Sequence, residues 1–335
     1  MTLLDQDGWM QRGEAGPKVV ALGGGHGLSA TLRALKHITR QITAVVTVAD
    51  NGGSSGRLRH EMNVLPPGDL RMAIVSLCDE SDWGLTWRDL MQTRFETSGA
   101  LNQHAVGNLL IVGLWQLFQD PIEGLDWACR LVNARGRVLP MSLQPLDIEA
   151  DVVREGQTLT ICGQKNVALT SEHLETVRLI PEDPVVSDQA LEAITEAEWV
   201  VLGPGSWYTS VIPHLLVRRL REAIEKTSAR RALIMNLARQ SGETEDLSFA
   251  AHLKAIHTVA PNLRFDVIVA DPSAVDDIDA LIEEAGRLGA RLLMRQVRSG
   301  SGVPQHDPLR LAAALRDAFN GYLGEVGKTE PWLDN

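Results

Sequence analysis

The chain has 335 residues, of which 44% are hydrophobic and 22% are charged, as is ordinary for a globular protein. Its length suffices for one large or two modest domains. Acidic side chains outnumber basic ones by 43 to 32, and the resulting net charge of −11 argues against general binding to nucleic acid or to an anionic membrane surface. A site for an anion must therefore be built locally, from loops and a few arginines.

The three cysteines are widely spaced and odd in number, at Cys78, Cys129 and Cys162. This pattern fits neither a disulfide framework nor a zinc site, and it is typical of proteins in a reducing cytoplasm. Residues 1–17 lack the apolar core of a signal peptide, and no apolar run is long enough to cross a membrane. We therefore expect a cytoplasmic protein without membrane insertion.

The segment GGGHG at 23–27, the first loop, lies between an apolar run and a helical pattern. Residues 19–22 are typical of a buried parallel strand, and Leu28, Leu32 and Leu35 recur at helical spacing. Glycine lets backbone N–H groups approach a ligand, and a helix N-terminus attracts anions. The pattern predicts a phosphate site, with a plain tight turn as the alternative. The candidate residues are Gly23, Gly24, Gly25, His26 and Gly27.

Residues 25–30 also fit the G-x-G-x-x-A form of the dinucleotide fingerprint. Asp50 ends the next apolar run, at the position where that fold keeps a ribose-binding acid. A glycine fingerprint alone is weak support. An NAD-binding oxidoreductase, which requires hydride transfer, is therefore only the third hypothesis.

The second loop is the segment DNGGSSGRLR at 50–59, directly after the second strand. Its glycines, hydroxyls and arginines offer many hydrogen-bond donors. Two such loops at the carboxyl ends of neighbouring strands converge on one crevice, which favours a ligand such as a nucleoside diphosphate compound. The alternative is a solvated, flexible loop. The candidates are Asp50, Asn51, Gly52, Gly53, Ser54 and Ser55, with Arg57 and Arg59 as secondary ones.

The third loop is GPGS at 203–206, within another sequence of strand, glycine turn and helix start. Ser206 fits an N-cap, and the glycines leave backbone donors available. Asn236 is a further polar residue at the end of the strand predicted over 232–235. A simple turn between strand and helix is the alternative. The candidates here are Gly203, Pro204, Gly205, Ser206 and Asn236.

Two further candidates are Asp69 and Asn108. Asp69 opens a helix, where it could cap that helix or hold a ribose, a substrate hydroxyl or a magnesium ion. His104 and Asn108 are four residues apart and are predicted to share one helix face. Gly107 between them costs about 1 kcal/mol of helix stability, which indicates close packing at the backbone. A purely structural His104 remains the alternative.

The periodicity predicts alternating strands and helices with two interruptions. Residues 19–56 read as strand, loop, helix, strand and loop, and residues 68–133 are mainly helical. Residues 137–180 contain short β-type runs, and a helix is predicted over 208–223. We predict the α/β class: a Rossmann-like, mainly parallel sheet flanked by helices, with a helical and a small β-rich insertion. The predicted divisions are a flexible leader 1–17, one domain 18–325 with an insertion at about 137–180, and a tail 326–335.

Several reaction motifs do not occur. The sequence has no P-loop Gly-Lys-Ser/Thr, no Gly-x-Ser-x-Gly elbow and no Cys-x-x-Cys. No nucleophile and base stand out as a pair. The sequence therefore indicates a binding crevice more clearly than a reaction, and the catalytic residues are unknown.

The ordered set of motifs resembles the bacterial gluconeogenesis-factor branch of the 2-phospho-L-lactate transferase (CofD-like) family. The resemblance extends over 18–325. Any one of these motifs could occur by chance, whereas the ordered set is specific. The segments that carry it are 21–29, 46–59, 65–71, 107–110, 135–140, 202–206 and 209–210.

The resemblance implies a Rossmann-like fold and two candidate functions. Members of the gluconeogenesis-factor branch are regulators that bind UDP-sugars, such as UDP-N-acetylglucosamine, and are needed for normal cell shape and wall synthesis on gluconeogenic carbon sources. This is the main hypothesis, and it requires no cofactor. The transferase branch moves a phospholactyl-type group onto a deazaflavin with Mg²⁺, which is the alternative. We also expect a homo-oligomer and a regulatory protein partner.

Three positions depart from the family pattern. His26 stands where the family usually has Thr. Asn51 stands where Asp is common, and because Asn has no carboxylate, this departure argues against a metal ion bound by residues 50 and 51. Residues 242–245 fit a family motif, but Leu247 replaces the aromatic residue that usually follows it. If that aromatic residue stacks on the ligand, the ligand preference of this protein differs. His252 still fits the pattern.

Overall fold

The computed structural model describes residues 15–154, 157–170, 174–240, 244, 247–300 and 302–322. Most of the predicted leader, all of the predicted tail, and Gly242, Glu243 and Glu245 of the family motif lie outside the described residues. None of the described helices is long and apolar enough to cross a membrane.

Strands and helices alternate through most of the described chain. The strands are β1 Val19–Gly23, β2 Ile42–Val46, β3 Arg137–Pro140, β4 Asp147–Arg154, β5 Gln157–Cys162, β6 Leu174–Ile180, β7 Trp199–Leu202, β8 Arg230–Ile234, β9 Val267–Ala270 and β10 Arg291–Met294. The α-helices are α1 Gly25–Leu35, α2 Gly53–Met62, α3 Pro67–Leu77, α4 Asp82–Gln92, α5 Val106–Phe118, α6 Pro121–Leu131, α7 Gln164–Leu169, α8 Asp188–Glu196, α9 Pro213–Leu216, α10 Arg218–Lys226, α11 Phe249–Val259, α12 Ile278–Arg287 and α13 Pro308–Phe319. A single π-helical turn spans Trp207–Val211.

The main sheet has seven parallel strands in the order β10-β9-β8-β7-β1-β2-β3. When only the strands of this sheet are numbered in chain order, their spatial order is that of dinucleotide-binding folds, with β10 as one additional strand at the edge. The strands are short apolar runs, and the residues of β1 and β7 are all buried. The strand order reverses between β1 and β7, where such folds bind ligands. The predicted α/β class is confirmed.

Both predicted insertions are present, with one corrected boundary. Helices α2 to α6 lie between β2 and β3, and strands β5-β4-β6 form a separate antiparallel sheet. The predicted β-rich insertion at about 137–180 begins too early, because its first run belongs to the main sheet. Strand β3 instead pairs in parallel with β2, with Leu139 opposite Val45. Periodicity cannot tell to which sheet a short apolar run belongs.

Three local predictions also need correction. Much of the second loop is helical, because α2 begins at Gly53. The predicted helix 208–223 is broken into the π-turn, α9 and α10. Pro213, which has no N–H to continue a helix, begins α9, and the extended backbone of Val217 separates α9 from α10. His104 precedes α5, which begins at Val106, so it does not share a helix face with Asn108.

Candidate functional site

The first loop forms a tight cradle at the end of β1. A Cβ atom built on Gly24 would lie 2.3 Å from Thr47 Cγ2, 2.7 Å from Asp69 Oδ2 and 3.4 Å from Ser210 Oγ. Gly25 has a φ of +54°, a conformation that residues with a side chain rarely adopt. The glycines are therefore needed because side chains from three other segments converge on this backbone.

Gly27 brings the first loop against the third loop. A Cβ on Gly27 would lie 2.1 Å from the carbonyl oxygen of Pro204 and 2.7 Å from Gly205 Cα. The two loops leave β1 and β7, which flank the point where the strand order reverses. The structure thus brings these loops together, and the missing side chain of Gly27 serves their contact rather than the approach of a ligand.

Asp69 caps α1 rather than its own helix α3. It lies in the first turn of α3, and its carboxylate accepts a hydrogen bond from the backbone N–H of Gly25 in the first turn of α1. The positive end of a helix favours such a negative charge. Because this N–H is already bound, a phosphate at the first loop has to use other donors.

Two carboxyl groups meet at what we call the acidic end of the site, formed by Asp50 and Asp69 with the hydroxyl groups of Thr47 and Ser210. Burial raises the pKa of Asp69 to about 7, and the nearby charge of Asp50 contributes to the rise. Asp50 accepts the N–H of Gly52 at 2.8 Å. Near neutral pH, Asp69 therefore exists in both its protonated and its ionised form.

The raised pKa of Asp69 predicts a pH-dependent stability difference from Asp69→Asn. The folded protein holds this proton more tightly than the unfolded chain, so the stabilisation is present at low pH and is lost as pH rises through about 7. Relative to Asp69→Asn, the wild type should lose about 2 kcal/mol of unfolding free energy between pH 5 and pH 8, after allowance for solvent screening. Urea unfolding of both proteins at the two pH values measures this, and a pH-independent difference would contradict the assignment.

A buried chain of hydrogen bonds links α3, α5 and the second loop. Arg71 Nε donates to Asn108 Oδ1 at 2.9 Å, and Asn108 Nδ2 donates to Ser54 Oγ at 3.0 Å. Ser54 Oγ lies 3.0 Å from His104 Nδ1. Arginine has only donors, so the amide orientation of Asn108 is fixed and the hydroxyl proton of Ser54 is left for His104. Burial lowers the pKa of His104, which agrees with a neutral ring that accepts at Nδ1.

This network explains the glycine between His104 and Asn108. A Cβ on Gly107 would lie 2.7 Å from both Arg71 Cδ and the carbonyl oxygen of Met91. The close packing expected at Gly107 is therefore with α3 and the end of α4. His104 and Asn108 still meet, although they meet through Ser54 and not along one helix.

The remaining residues of the second loop pack against the protein. Asn51 Oδ1 accepts the backbone N–H of Lys165 at 3.2 Å, which ties the loop to the start of α7. Ser55 Oγ would lie 2.3 Å from a Cβ on Gly68, so it packs against the start of α3. Gly53 has a φ of +50° and begins α2. The side chain of Asn51 thus contacts the start of α7.

Arg57 and Arg59 are both used in contacts within the chain. Arg57 donates to the carbonyl oxygens of Ala100 and Asn102, at 3.1 and 2.6 Å. Arg59 forms an ion pair with Asp147 at 2.7 Å. Their contacts anchor the second loop to the two insertions.

Asn236 holds the third loop through two hydrogen bonds. Its Oδ1 accepts the N–H of Gly205 and its Nδ2 donates to the carbonyl oxygen of Gly205, both at 2.9 Å. Ser206 was expected to cap a helix with its side chain, but it makes no such bond to the π-turn. Its Oγ instead accepts a hydrogen bond from Gln240 Nε2 at 3.2 Å. Gly203 has a φ of +73° and its carbonyl oxygen accepts from Thr31 at 2.8 Å.

A cleft of about 350 Å³ lies beside the third loop, between α1 and the segment that leads into α13. Its walls come from the first turns of α1, from Gly205, from the segment after β8 and from residues 304–308. Gln240 Oε1 in this wall is buried and has no hydrogen-bond partner among the described residues. The polar side chains that line the cleft include His26, Ser29, Arg33, Arg239, Gln240 and His306.

Two buried hydroxyl groups, one of them at the acidic end, have no hydrogen-bond partner among the described residues. Thr47 Oγ1 and Thr209 Oγ1 are buried and have no hydrogen bond within the described part of the chain. Buried hydroxyls are normally paired, so a ligand or water would complete them. Thr47, Ser210 and Arg33 were not among our predicted residues. Thr47 directly follows β2, and this position at a strand end could have identified it. The same reasoning identified Asn236 after its predicted strand.

A magnesium ion at the acidic end would need oxygen atoms from a bound small molecule in addition to the protein carboxylates. Over the residues that the structure describes, no three His, Cys, Asp or Glu side chains form a metal cluster. Asp50 and Asp69 do form a pair, and Mg²⁺ is often held by one or two carboxylates together with water and substrate phosphates. The residues therefore fit Mg²⁺ that arrives with a phosphorylated ligand.

His252 serves the packing beneath the third loop. It is 1% exposed, and its ring lies 5.0 Å from the ring of Trp207 in an edge arrangement. Trp207 Nε1 donates to the carbonyl oxygen of His252 at 3.0 Å. These contacts hold the π-turn that follows the third loop.

Known proteins are similar in sequence to this chain over most of its length. Residues 19–314 match the family described as 2-phospho-L-lactate transferase CofD. A Mycobacterium tuberculosis protein, provisionally named a gluconeogenesis factor, is 46% identical over 320 residues, which are 93% of this chain and 92% of that protein. Proteins named gluconeogenesis factor from Listeria innocua and Bacillus subtilis are 35% and 33% identical, and each match covers 90% of this chain and 95% and 98% of theirs.

A solved structure shows the same fold. The crystal structure of a UPF0052 family member from Bacillus halodurans, at 2.60 Å resolution, matches with a TM-score of 0.81 and 33% identity. The match covers 90% of this chain and 99% of that one. The chain therefore belongs to the 2-phospho-L-lactate transferase CofD family, in the branch whose members carry the name gluconeogenesis factor.

Proposed function

We propose that this protein binds a UDP-sugar and acts as a regulatory protein needed for cell shape and wall synthesis on gluconeogenic carbon sources. The observation that carries the proposal is the convergence of the first and third loops at the point where the strand order reverses, between the acidic end and a cleft of about 350 Å³. A volume of this order suits a small polar ligand. The names of the relatives support the gluconeogenic setting.

The contacts of the polar side chains support a binding protein. Ser54 and His104 are adjacent, as a nucleophile and base would be, yet they are only 4% and 5% exposed. Asn108 and Arg71 complete a network in which each group already has a partner. Such a network holds the second loop in place and leaves little access for a substrate.

Titration calorimetry with UDP-N-acetylglucosamine, UDP-glucose and NAD, each with and without Mg²⁺, tests the proposal. We expect a UDP-sugar to bind selectively and to be recovered unchanged after incubation. Binding of NAD alone would favour the oxidoreductase hypothesis. Binding of none of the three would reject the proposal.

A Mg²⁺-dependent transferase is the second candidate, and Asp69 is the observation that favours it. Its pKa of about 7 suits a group that accepts a proton from an attacking hydroxyl at neutral pH. Asp50 would hold a magnesium ion, together with phosphate oxygens of the donor, and Asp69 would stay free of the metal to accept the proton. Incubation with Mg²⁺, a phospholactyl-type donor and a deazaflavin should then give a transfer product. If no product forms, this candidate is rejected.

A further inference from the structure

We propose that the cleft beside the third loop is the diphosphate subsite, with Arg33 as its main cation. The sugar hydroxyls of the ligand then lie at the acidic end. This inference rests on the proposed binding of a nucleotide sugar. It assigns a direction to the ligand across Gly205, which lines the cleft and also lies near Ser210 and Gly24.

The charge of the cleft supports the assignment. Among the described residues that line it, none is acidic, although the whole chain carries a net charge of −11. Two arginines, Arg33 and Arg239, and two histidines face it. Burial lowers the pKa of His306 to about 4, and its Nε2 lies 3.2 Å from the carbonyl oxygen of Met235, so this ring is a neutral donor. The arginines carry the permanent positive charge of the cleft.

The two arginines differ in whether an acidic side chain of the described residues already pairs with them. Arg239 forms an ion pair with Asp276. Arg33 is exposed on α1 and forms no ion pair within the residues that the structure describes. His26 and Arg33 are seven residues apart on α1, so they lie on one face of that helix, and both line the cleft. Arg33 is thus the cation with charge available for a phosphate, and its planar guanidinium suits two phosphate oxygens at once.

The opposite end of the site disfavours phosphate. Asp69 already occupies the N–H of Gly25, and Asp50 contributes a second carboxylate at the same place. Where no cation is bound between them, a phosphate there would face like charges in a partly buried setting, in which repulsion is stronger than in water. Carboxylates and the hydroxyls of Thr47 and Ser210 instead suit sugar hydroxyls, which both donate and accept hydrogen bonds.

The test compares Arg33→Gln with Lys254→Gln. Lys254 is an exposed cation on α11 outside the cleft, so the control removes the same charge without touching the subsite. Dissociation constants are measured by calorimetry for UDP-N-acetylglucosamine, UDP, uridine and inorganic pyrophosphate. We expect Arg33→Gln to weaken UDP and the UDP-sugar at least tenfold, and to leave uridine unchanged. Lys254→Gln should change each constant less than twofold.

The outcomes separate this inference from the proposed function. Unchanged UDP binding by Arg33→Gln overturns the subsite while UDP-sugar binding stands. An equal loss of uridine and UDP also overturns it, because the effect would not concern phosphate. If wild-type protein binds pyrophosphate in an Arg33-dependent way but no UDP-sugar, the subsite stands and the proposed ligand is wrong. If wild-type protein binds none of the four probes, both are rejected. Thermal unfolding of each variant confirms that it is folded.

Discussion

Gly27→Ala should lower the free energy of unfolding by about 3 kcal/mol and reduce UDP-sugar binding at least tenfold. The new Cβ would lie 2.1 Å from the carbonyl oxygen of Pro204 and 2.5 Å from its carbonyl carbon. These are backbone atoms, so no side-chain rotation can relieve the overlap. Asn236 holds the adjacent Gly205 by two hydrogen bonds, which resists a shift of the third loop. Overpacking of this kind costs about 1–3 kcal/mol, and the rigid surroundings place it at the upper limit.

Gly113→Ala is the matched control for this prediction. Gly113 lies within α5, and a Cβ there would have no atom within 4 Å. Alanine at this position should raise stability by roughly 0.5–1 kcal/mol, because glycine is unfavourable inside a helix. Urea unfolding of both variants measures the contrast. Equal effects of the two substitutions would show that Gly27 is not a packing requirement.

Asn108→Ala should cost about 3 kcal/mol of unfolding free energy. It removes the acceptor of Arg71 Nε and the donor to Ser54 Oγ, and both of these groups are buried. Leaving a buried polar group unpaired costs about 1–3 kcal/mol, and more for a charged one. Asn320→Ala, at an exposed position after α13, should change stability by less than about 0.5 kcal/mol.

A double-mutant cycle separates the network from a local effect at Asn108. The Asn108→Ala/Ser54→Ala protein should lose about 1 kcal/mol less than the sum of its two single variants, because the second change removes a group that the first left unpaired. Urea unfolding of the four proteins gives the coupling. Strict additivity would mean that the bond between these side chains contributes nothing. A loss of ligand affinity with unchanged stability would return Asn108 to a direct contact with the ligand.

One backbone donor of the first loop has a partner that sequence reasoning could not foresee. Strand, glycine loop and helix in that order do predict an anion site at the helix N-terminus. In the folded chain, Asp69 takes the N–H of Gly25 there, and it comes from a helix that lies much later in the sequence. No local pattern around the first loop reports this contact. The exposed Arg33 carried no motif, so it was not among the predicted residues.

The sequence by itself determined the elements of this protein and their class. Apolar runs followed by glycine turns predict the parallel strands, and helical spacing of leucines predicts helices such as α1, because these patterns depend on near neighbours. The sequence also placed polar residues of the three loops at the carboxyl ends of strands. Those ends lie at one edge of a parallel sheet whatever the details of packing.

Only the tertiary structure decided what each of those polar residues does. Asn51 binds the start of α7, Asn236 holds Gly205, and Asn108 joins Arg71 to Ser54. These partners are distant in the chain, and their choice depends on how helices and insertions pack over the sheet. The same packing puts β3 in the main sheet and leaves a cleft beside α1 whose described lining residues include no acid. A residue type at a strand end predicts that a polar group will be at the site edge, whereas its hydrogen-bond partner is fixed by contacts that exist only after folding.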